Sequence, residues 1–355
     1  QNSTLGVLSL LAKLGAGADI VSGGELKKAL YVNVDPSKIV FSGVGKTTEE
    51  IELAIRSNIK QINAESFPEI DNIIRIANKL KVRVPVAIRV NPDIKVKTHE
   101  KIATGSNDTK FGLPIKEAVE IYKKISSEKY ITTMGLAIHI GSQIFDMNEF
   151  RLAYENVLSI ANSLREEGMD VPNLDLGGGL GVDYQNASIN YKDYGKTIRE
   201  VFNTYDYKLS IEPGRSLVAN SGVLVTKIIY IKNSERKNFL IVDGAMNDFI
   251  RPTLYNAHHN IEPLIKSKNK ELEYDVVGPI CETGDYFIKD LKLNQPMEGQ
   301  FLAIFSTGAY GSVMSSSYNS RPSAGELLVH NNKIHLLRKQ EVIEYQIQKE
   351  ILPDL

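Results

Sequence analysis

A single cysteine, Cys281, stands in a chain of 355 residues, so no disulfide can form within it and the chain suits a reducing compartment such as the cytoplasm. Surplus charge is also lacking. Forty-two Lys plus Arg face 43 Asp plus Glu, a formal charge of −1, which argues against nucleic acid or an anionic membrane as the main partner. No apolar run approaches the roughly 20 residues of a membrane-spanning helix. The opening stretch "QNSTLGVLSLLAKLG" has neither the basic leader nor the small-residue cleavage site of a secretory signal. It starts without Met and runs directly into a helical pattern with Leu5, Leu8, Leu11 and Leu14 apolar. What remains is a chain long for one core, for which a large α/β domain, a smaller companion and a small-molecule site are expected.

From Ala18 to Glu212 short apolar segments alternate with amphipathic helical patterns. The segments "ADIVS" (18–22), "KIVFSG" (38–43), "IKQINA" (59–64), "VPVAIRV" (84–90), "GLAIHI" (135–140), "NLDLGG" (173–178) and "KLSIEP" (208–213) read as strands. Between them "TTEEIELAIRSN" places Ile51, Ala54 and Ile55 on one helical face. Repeated βα units of this kind imply a parallel sheet, either open and doubly wound or closed as a (β/α)₈ barrel whose eighth strand would precede the first helix. Polar residues or glycines follow nearly every strand: Ser22, Ser42, Glu65, Asn91, His139, Gly177 to Gly179 and Glu212. Chemistry in such barrels gathers at that face. After about Ser221 the pattern changes to short β segments, including "VLVTKIIYIK", "NFLIVDG" and "ELLVHNNKIHLL", so residues 221–355 are expected to form a mostly antiparallel β domain after a barrel of residues 1–220.

Three consecutive glycines at a strand end suit an anion, most often a phosphate, although alone they are more often a tight turn. A lone His139 is likewise more often structural. Together, "AIHIGSQ" (137–143), "LDLGGGLG" (174–181) and "EPGRS" (212–216) bring an aromatic ring, a glycine bend and a carboxylate to three successive strand ends, the needs of a flat, phosphorylated, protonated heterocycle such as pyridoxal 5'-phosphate.

With "SGGE" (22–25), "FSGVGKT" (41–47), "RVNPDI" (89–94), "KFG" (110–112), "MNDFIRPTLY" (246–255), "VGPICETGD" (277–285), "GAYG" (308–311) and "SSYNSRP" (316–322), these motifs resemble the diaminopimelate decarboxylases, fold-type III pyridoxal-phosphate enzymes, over essentially the whole chain. The resemblance implies a cofactor-binding barrel followed by a β domain, and a homodimer whose two active sites take residues from both subunits. It implies decarboxylation of meso-2,6-diaminopimelate to L-lysine and carbon dioxide, through an aldimine and a quinonoid on the cofactor. His139 then matches the residue stacked on the cofactor ring. Ser142, Gly178, Gly179, Gly214, Arg215 and Tyr310 match the phosphate cradle, and Glu212 matches the acid facing the ring nitrogen. Cys281 matches the proton donor and Glu282 a carboxylate meeting the substrate ammonium across the dimer. Arg215, Arg251, Tyr255 and Tyr310 match substrate contacts, with the guanidiniums suited to a distal carboxylate. No metal is expected.

One departure stands out: the family's Schiff-base lysine, in a "KAN"-like motif ahead of the first helix, is absent; Lys13 is expected mid-helix and Lys46 of "GVGKT" at a different strand end, so neither replaces it. The chain is therefore expected to be a fragment of a longer one. The alternatives are a fold-type III decarboxylase of ornithine or arginine, whose cationic end Arg215 and Arg251 would repel, and a non-catalytic homologue, for which Cys281, Glu212 and His139 would have no use.

Overall fold

The computed structural model describes residues 1–92, 94, 110–186 and 188–354, so Asp93 of the "RVNPDI" motif lies outside the described residues. Two compact units emerge, one of Leu8–Gly181 with Ile189–Gly214, the other of Gln1–Val7, Val182–Ser188 and Arg215–Leu355. The division falls at Arg215, ahead of the position near 220 where the sequence pattern changes, and two short pieces join the second unit out of sequence order. The joins are specific. In the second unit Tyr310 N donates to Gln1 O at 2.8 Å, Asn2 Nδ2 donates to Gly308 O at 3.0 Å, and Asn260 Nδ2 reaches Gln185 O at 2.6 Å.

In the first unit all seven strands expected from the sequence form one parallel sheet, in the order β1 (Ala18–Ile20), β2 (Ile39–Phe41), β3 (Gln61–Ala64), β4 (Val84–Asn91), β6 (Ile131–Ala137), β7 (Asn173–Asp175) and β8 (Lys208–Ser210). A two-residue strand not legible in the sequence, β5 (Leu113–Pro114), pairs with the end of β4. The helix after α1 (Leu5–Lys13) is α2 (Gly23–Tyr31), followed by α3 (Thr48–Arg56), α4 (Phe67–Leu80), α5 (Ile115–Ser126), α6 (Met147–Glu166) and α7 (Tyr191–Phe202). Their starts are encoded locally. Ser22, Thr47 and Ser66 each accept a backbone N–H three residues on, and Thr47 with Glu50 closes a full capping box. The apolar face of α3 buries Ile51, Ala54 and Ile55 as its 3.6-residue spacing predicts. Val84, Val86, Ile88 and Val90 of β4 are enclosed on one face and Ala87 and Arg89 are buried on the other, so the strand reads as a nearly continuous apolar run. Lys13 ends α1.

The second unit carries the antiparallel character expected of it. Its six-stranded sheet runs β11 (Ile261–Pro263), β14 (Phe301–Phe305), β9 (Val223–Asn233), β10 (Asn238–Val242), β12 (Glu271–Val277), β13 (Tyr286–Asn294), and only β10 with β12 is parallel. A separate hairpin, β15 (Glu326–His330) and β16 (Lys333–Arg338), turns on Asn331 and Asn332, both at positive φ (49° and 59°), the backbone that asparagine tolerates in a two-residue hairpin loop. Two short helices, α8 (Arg215–Val218) and α9 (Arg251–Tyr255), carry residues singled out by sequence, and α10 (Ile343–Ile347) lies near the end. No helix among the described residues is long and apolar enough to cross a membrane.

Candidate active site

Strand register brings the first set of residues to one level. Ala137, Asp175 and Ser210 are aligned across β6, β7 and β8, and His139, Gly177 and Glu212 each lie two residues beyond that row. The ladder continues past the strands, with Ile138 N donating to Asp175 O, Leu176 N to Ser210 O and Glu212 N to Gly177 O at 2.8–2.9 Å. Gly177 has φ +65°, and a Cβ there would lie 2.2 Å from Ile138 O; a Cβ on Gly178 would lie 2.3 Å from Glu212 O. The triplet is thus required because three chain segments pass too close for side chains. Gly177 N donates to Asp175 Oδ1 (3.2 Å) and Gly178 N to His139 Nδ1 (3.2 Å), whereas among the described residues nothing accepts from Gly179 N, the amide left for an anion. Ser142 and Gly214 are half-buried in the loops that follow β6 and β8.

His139, half-buried, accepts from an amide and is held neutral: burial and the Arg89 guanidinium push its pKa down to about 3. Arg89 is itself fixed by Glu65 at 3.0 Å and lies over the Phe111 ring. Glu65 also takes Gly43 N at 2.7 Å and Gly112 N at 3.0 Å, so one buried carboxylate ties three loops at this end of the sheet. Lys46 is spent in the same layer, its enclosed Nζ on Glu69 (2.7 Å), Gly43 O (2.6 Å) and Asn63 O (2.7 Å), consistent with its exclusion as the Schiff-base lysine.

Asp175 and Glu212 show what this layer wants. Asp175 is 2% exposed, and Oδ2 of Asp175 and Oε1 of Glu212 are buried without a donor. The two carboxyls are nevertheless within hydrogen-bonding reach of each other. Two acceptors can bond only by sharing a proton, and burial, foremost, raises both pKa values; Asp19, reached by solvent, adds a third negative group to Glu212, opposed by Arg89. A carboxyl pair short of a donor fits the protonated ring nitrogen of a pyridine cofactor, and the glycine bend fits its phosphate. In the cofactor-free protein, unfolding releases the shared proton once pH exceeds the ordinary carboxylate range. The pair's own contribution to stability should therefore fall with rising pH there, by about 1.4 kcal/mol per pH unit for one proton, until the pair ionises in the fold, while buried neutral histidines such as His139 add the opposite slope below the ordinary histidine range. The stability difference between wild type and Asp175→Asn, from urea denaturation at pH 5 to 8, isolates the pair and should fall as pH rises; a difference independent of pH would show that no proton is shared.

In the second unit a separate cluster surrounds two buried guanidiniums. Arg215 (7% exposed) donates from Nη1 to the Tyr184 hydroxyl at 2.9 Å and lies 4.8 Å over the Tyr310 ring; Arg251 (4%) lies 4.6 Å over the Tyr184 ring and bonds His259 Nε2 at 3.0 Å. Tyr310 holds φ +58°, costly for a bulky residue, with its N–H tied to Gln1 O. Tyr255, half-buried, ends α9. The loop of Cys281 and Glu282 is organised by buried Asp285, which accepts Met246 N and Ile280 N, both at 2.7 Å. Cys281 itself is exposed, and Glu282 accepts the Tyr318 hydroxyl. Sequence reasoning passed over Arg89, Asp175, Tyr184 and His259. Asp175 lay inside a quoted glycine motif, but nothing in "NAHHNIEP" distinguishes His259 from His258.

A parallel βα sheet with a histidine, a glycine bend and an acid at adjoining strand ends defines the class of pyridoxal-dependent decarboxylases, and the family model described as "Pyridoxal-dependent decarboxylase, pyridoxal binding domain" matches residues 1–219. The chain is 44% identical over 344 residues to the diaminopimelate decarboxylase of Aquifex aeolicus, covering 96% of this chain and 82% of that protein. Among solved structures, diaminopimelate decarboxylase from Helicobacter pylori complexed with L-lysine superposes with a TM-score of 0.94 at 43% identity, over 98% of this chain and 88% of the other. The enzyme from M. jannaschii, in co-complex with L-lysine, gives 0.95 at 37%, over 99% and 83%. The chain belongs to the pyridoxal-dependent decarboxylases and, within them, to the diaminopimelate decarboxylases.

Proposed function

We propose that the chain carries the decarboxylation of meso-2,6-diaminopimelate to L-lysine and carbon dioxide in lysine biosynthesis, with pyridoxal 5'-phosphate as cofactor. The observation that carries the substrate is the pair of buried guanidiniums, Arg215 and Arg251, held by a hydroxyl, a ring nitrogen and aromatic faces. They suit a carboxylate remote from the reacting carbon and would repel the cationic end of ornithine or arginine. The L-lysine bound by the two relatives supports the same product. Carbon dioxide should leave diaminopimelate, with lysine formed one for one, when the full-length protein is loaded with cofactor. Release from ornithine or arginine alone would overturn the assignment.

Bound cofactor supplies an electron sink for the carbon losing carbon dioxide. Glu212 would hold the ring nitrogen protonated, His139 would lie against the ring, and Ser142, Gly178, Gly179, Gly214, Arg215 and Tyr310 would receive the phosphate. Gly178, whose amide is already spent on His139, would contribute by having no side chain to block the phosphate's approach. Arg215, Arg251, Tyr255 and Tyr310 would bind the substrate's far end. Cys281 Sγ would return a proton to the substrate carbon, and Glu282 would meet the substrate ammonium, both in the neighbouring subunit of a homodimer. The exposure of Cys281 in the single protomer supports that arrangement, since a proton donor in catalysis needs cover from water. One thiol and an amino-acid substrate suit the cytoplasm.

Arg251→Ala removes one charge-assisted contact. Diaminopimelate binding should weaken roughly 30- to 150-fold, about 2–3 kcal/mol, while cofactor affinity holds. Unchanged Michaelis constant and turnover would remove Arg251 from the site.

A further inference from the structure

We propose that His259 is a specificity-determining positioning residue, holding Arg251 through a neutral ring nitrogen so that the whole guanidinium charge remains for a substrate carboxylate. The inference rests on the reading of Arg251 as the carboxylate receptor and adds what makes it one.

His259 is 0% exposed and is wedged between aromatic rings, 4.7 Å from Tyr184 at 57° and 4.7 Å from Phe249 at 81°. Both ring nitrogens are engaged. Nδ1 is 2.9 Å from Phe305 O, and a carbonyl only accepts, so Nδ1 carries the proton. Nε2 is 3.0 Å from Arg251 Nη1, and a guanidinium only donates, so Nε2 carries none. The two bonds select one neutral tautomer, because a second proton would set N–H against N–H. Burial first, then the Arg251 charge, disfavour the imidazolium and bring its pKa to about 3; the bond to the Phe305 carbonyl opposes them, and His258 and Arg215 add smaller effects in the same direction as Arg251.

The choice of partner decides what Arg251 can do. An aspartate or glutamate in place of His259 would neutralise the guanidinium inside the protein and leave an incoming carboxylate little to gain. A neutral nitrogen fixes the orientation of the fork and leaves its charge unspent. The carboxylate-ended substrate is thus selected by the neutral holder of Arg251 as much as by the cation itself, and an ammonium-ended one meets its positive charge.

Three variants of the full-length, cofactor-loaded protein test this. His259→Phe keeps the ring and loses both bonds; the Michaelis constant for diaminopimelate should rise about tenfold or more with a smaller change in turnover. His259→Gln offers an amide oxygen to Arg251 and an amide N–H to Phe305 O, and should restore most of that affinity. His259→Glu should be worse than Phe despite its hydrogen-bonding capacity, because it quenches the charge. Independently of activity, nitrogen NMR of histidine-labelled protein should show His259 as the neutral Nδ1–H tautomer from pH 8 to pH 5. Titration near the ordinary histidine value, an Nε2–H tautomer, or a Phe variant with wild-type Michaelis constant would overturn the inference. Loss of binding in Arg251→Ala alongside an unaffected His259→Phe would sink this inference alone, whereas an unaffected Arg251→Ala would sink the receptor reading beneath it.

Discussion

Cys281→Ala protein should bind cofactor and assemble normally yet turn over about 10²- to 10⁴-fold more slowly, the usual contribution of a general acid. Glu212→Ala should fail for another reason, since losing the anion opposite the ring nitrogen weakens the electron sink itself. If the site takes Glu212 from one subunit and Cys281 from the other, mixing the two variants creates heterodimers in which one site has both defects and one has neither. The intact site should recover activity that neither parent shows. Differently tagged chains that co-purify as heterodimers without recovering turnover would refute sharing. The exposed position of Cys281, on a loop that Asp285 pins through two backbone amides, is what makes the test sharp. Removing the thiol leaves the loop's own hydrogen bonds untouched.

Gly177→Ala should be among the most damaging single-atom additions in the barrel unit. Its φ of +65° disfavours a side chain, and the added carbon would sit 2.2 Å from Ile138 O, a backbone atom that cannot move without opening the β6–β7 ladder. Strain and overpacking together should cost about 2–5 kcal/mol of stability and displace His139 and the Gly178 amide that bonds it. Gly15 supplies the control. It has φ +88° but nothing within 4 Å of its would-be Cβ, so Gly15→Ala should cost only about 1 kcal/mol. Equal denaturation midpoints for the two variants would show that dihedral strain, and not the close approach of β6, decides the cost.

Strand alternation, capping boxes and apolar spacing are written in short stretches of chain, so the parallel sheet and the later antiparallel segments were legible without coordinates. Local patterning reports local structure, and Thr47 with Glu50 announces α3 wherever α3 ends up. The motif residues His139, Glu212, Arg251 and Cys281 could likewise be named from sequence, because a match of many short motifs in order is a property of sequence. What the sequence could not carry was partnership. Strand register puts His139, Gly177 and Glu212 at one level, and Asp175 becomes part of the site only because its carboxyl meets that of Glu212, from the next strand along. His259 reads as an ordinary surface-type residue until folding seats it between two rings and against Arg251, eight positions away. By itself the sequence determined the order of elements and the chemical groups available. Which carboxyls are buried side by side, and which neutral groups hold a buried charge, was decided only by the tertiary structure, because burial and distance set those energies and neither is a local property of the chain.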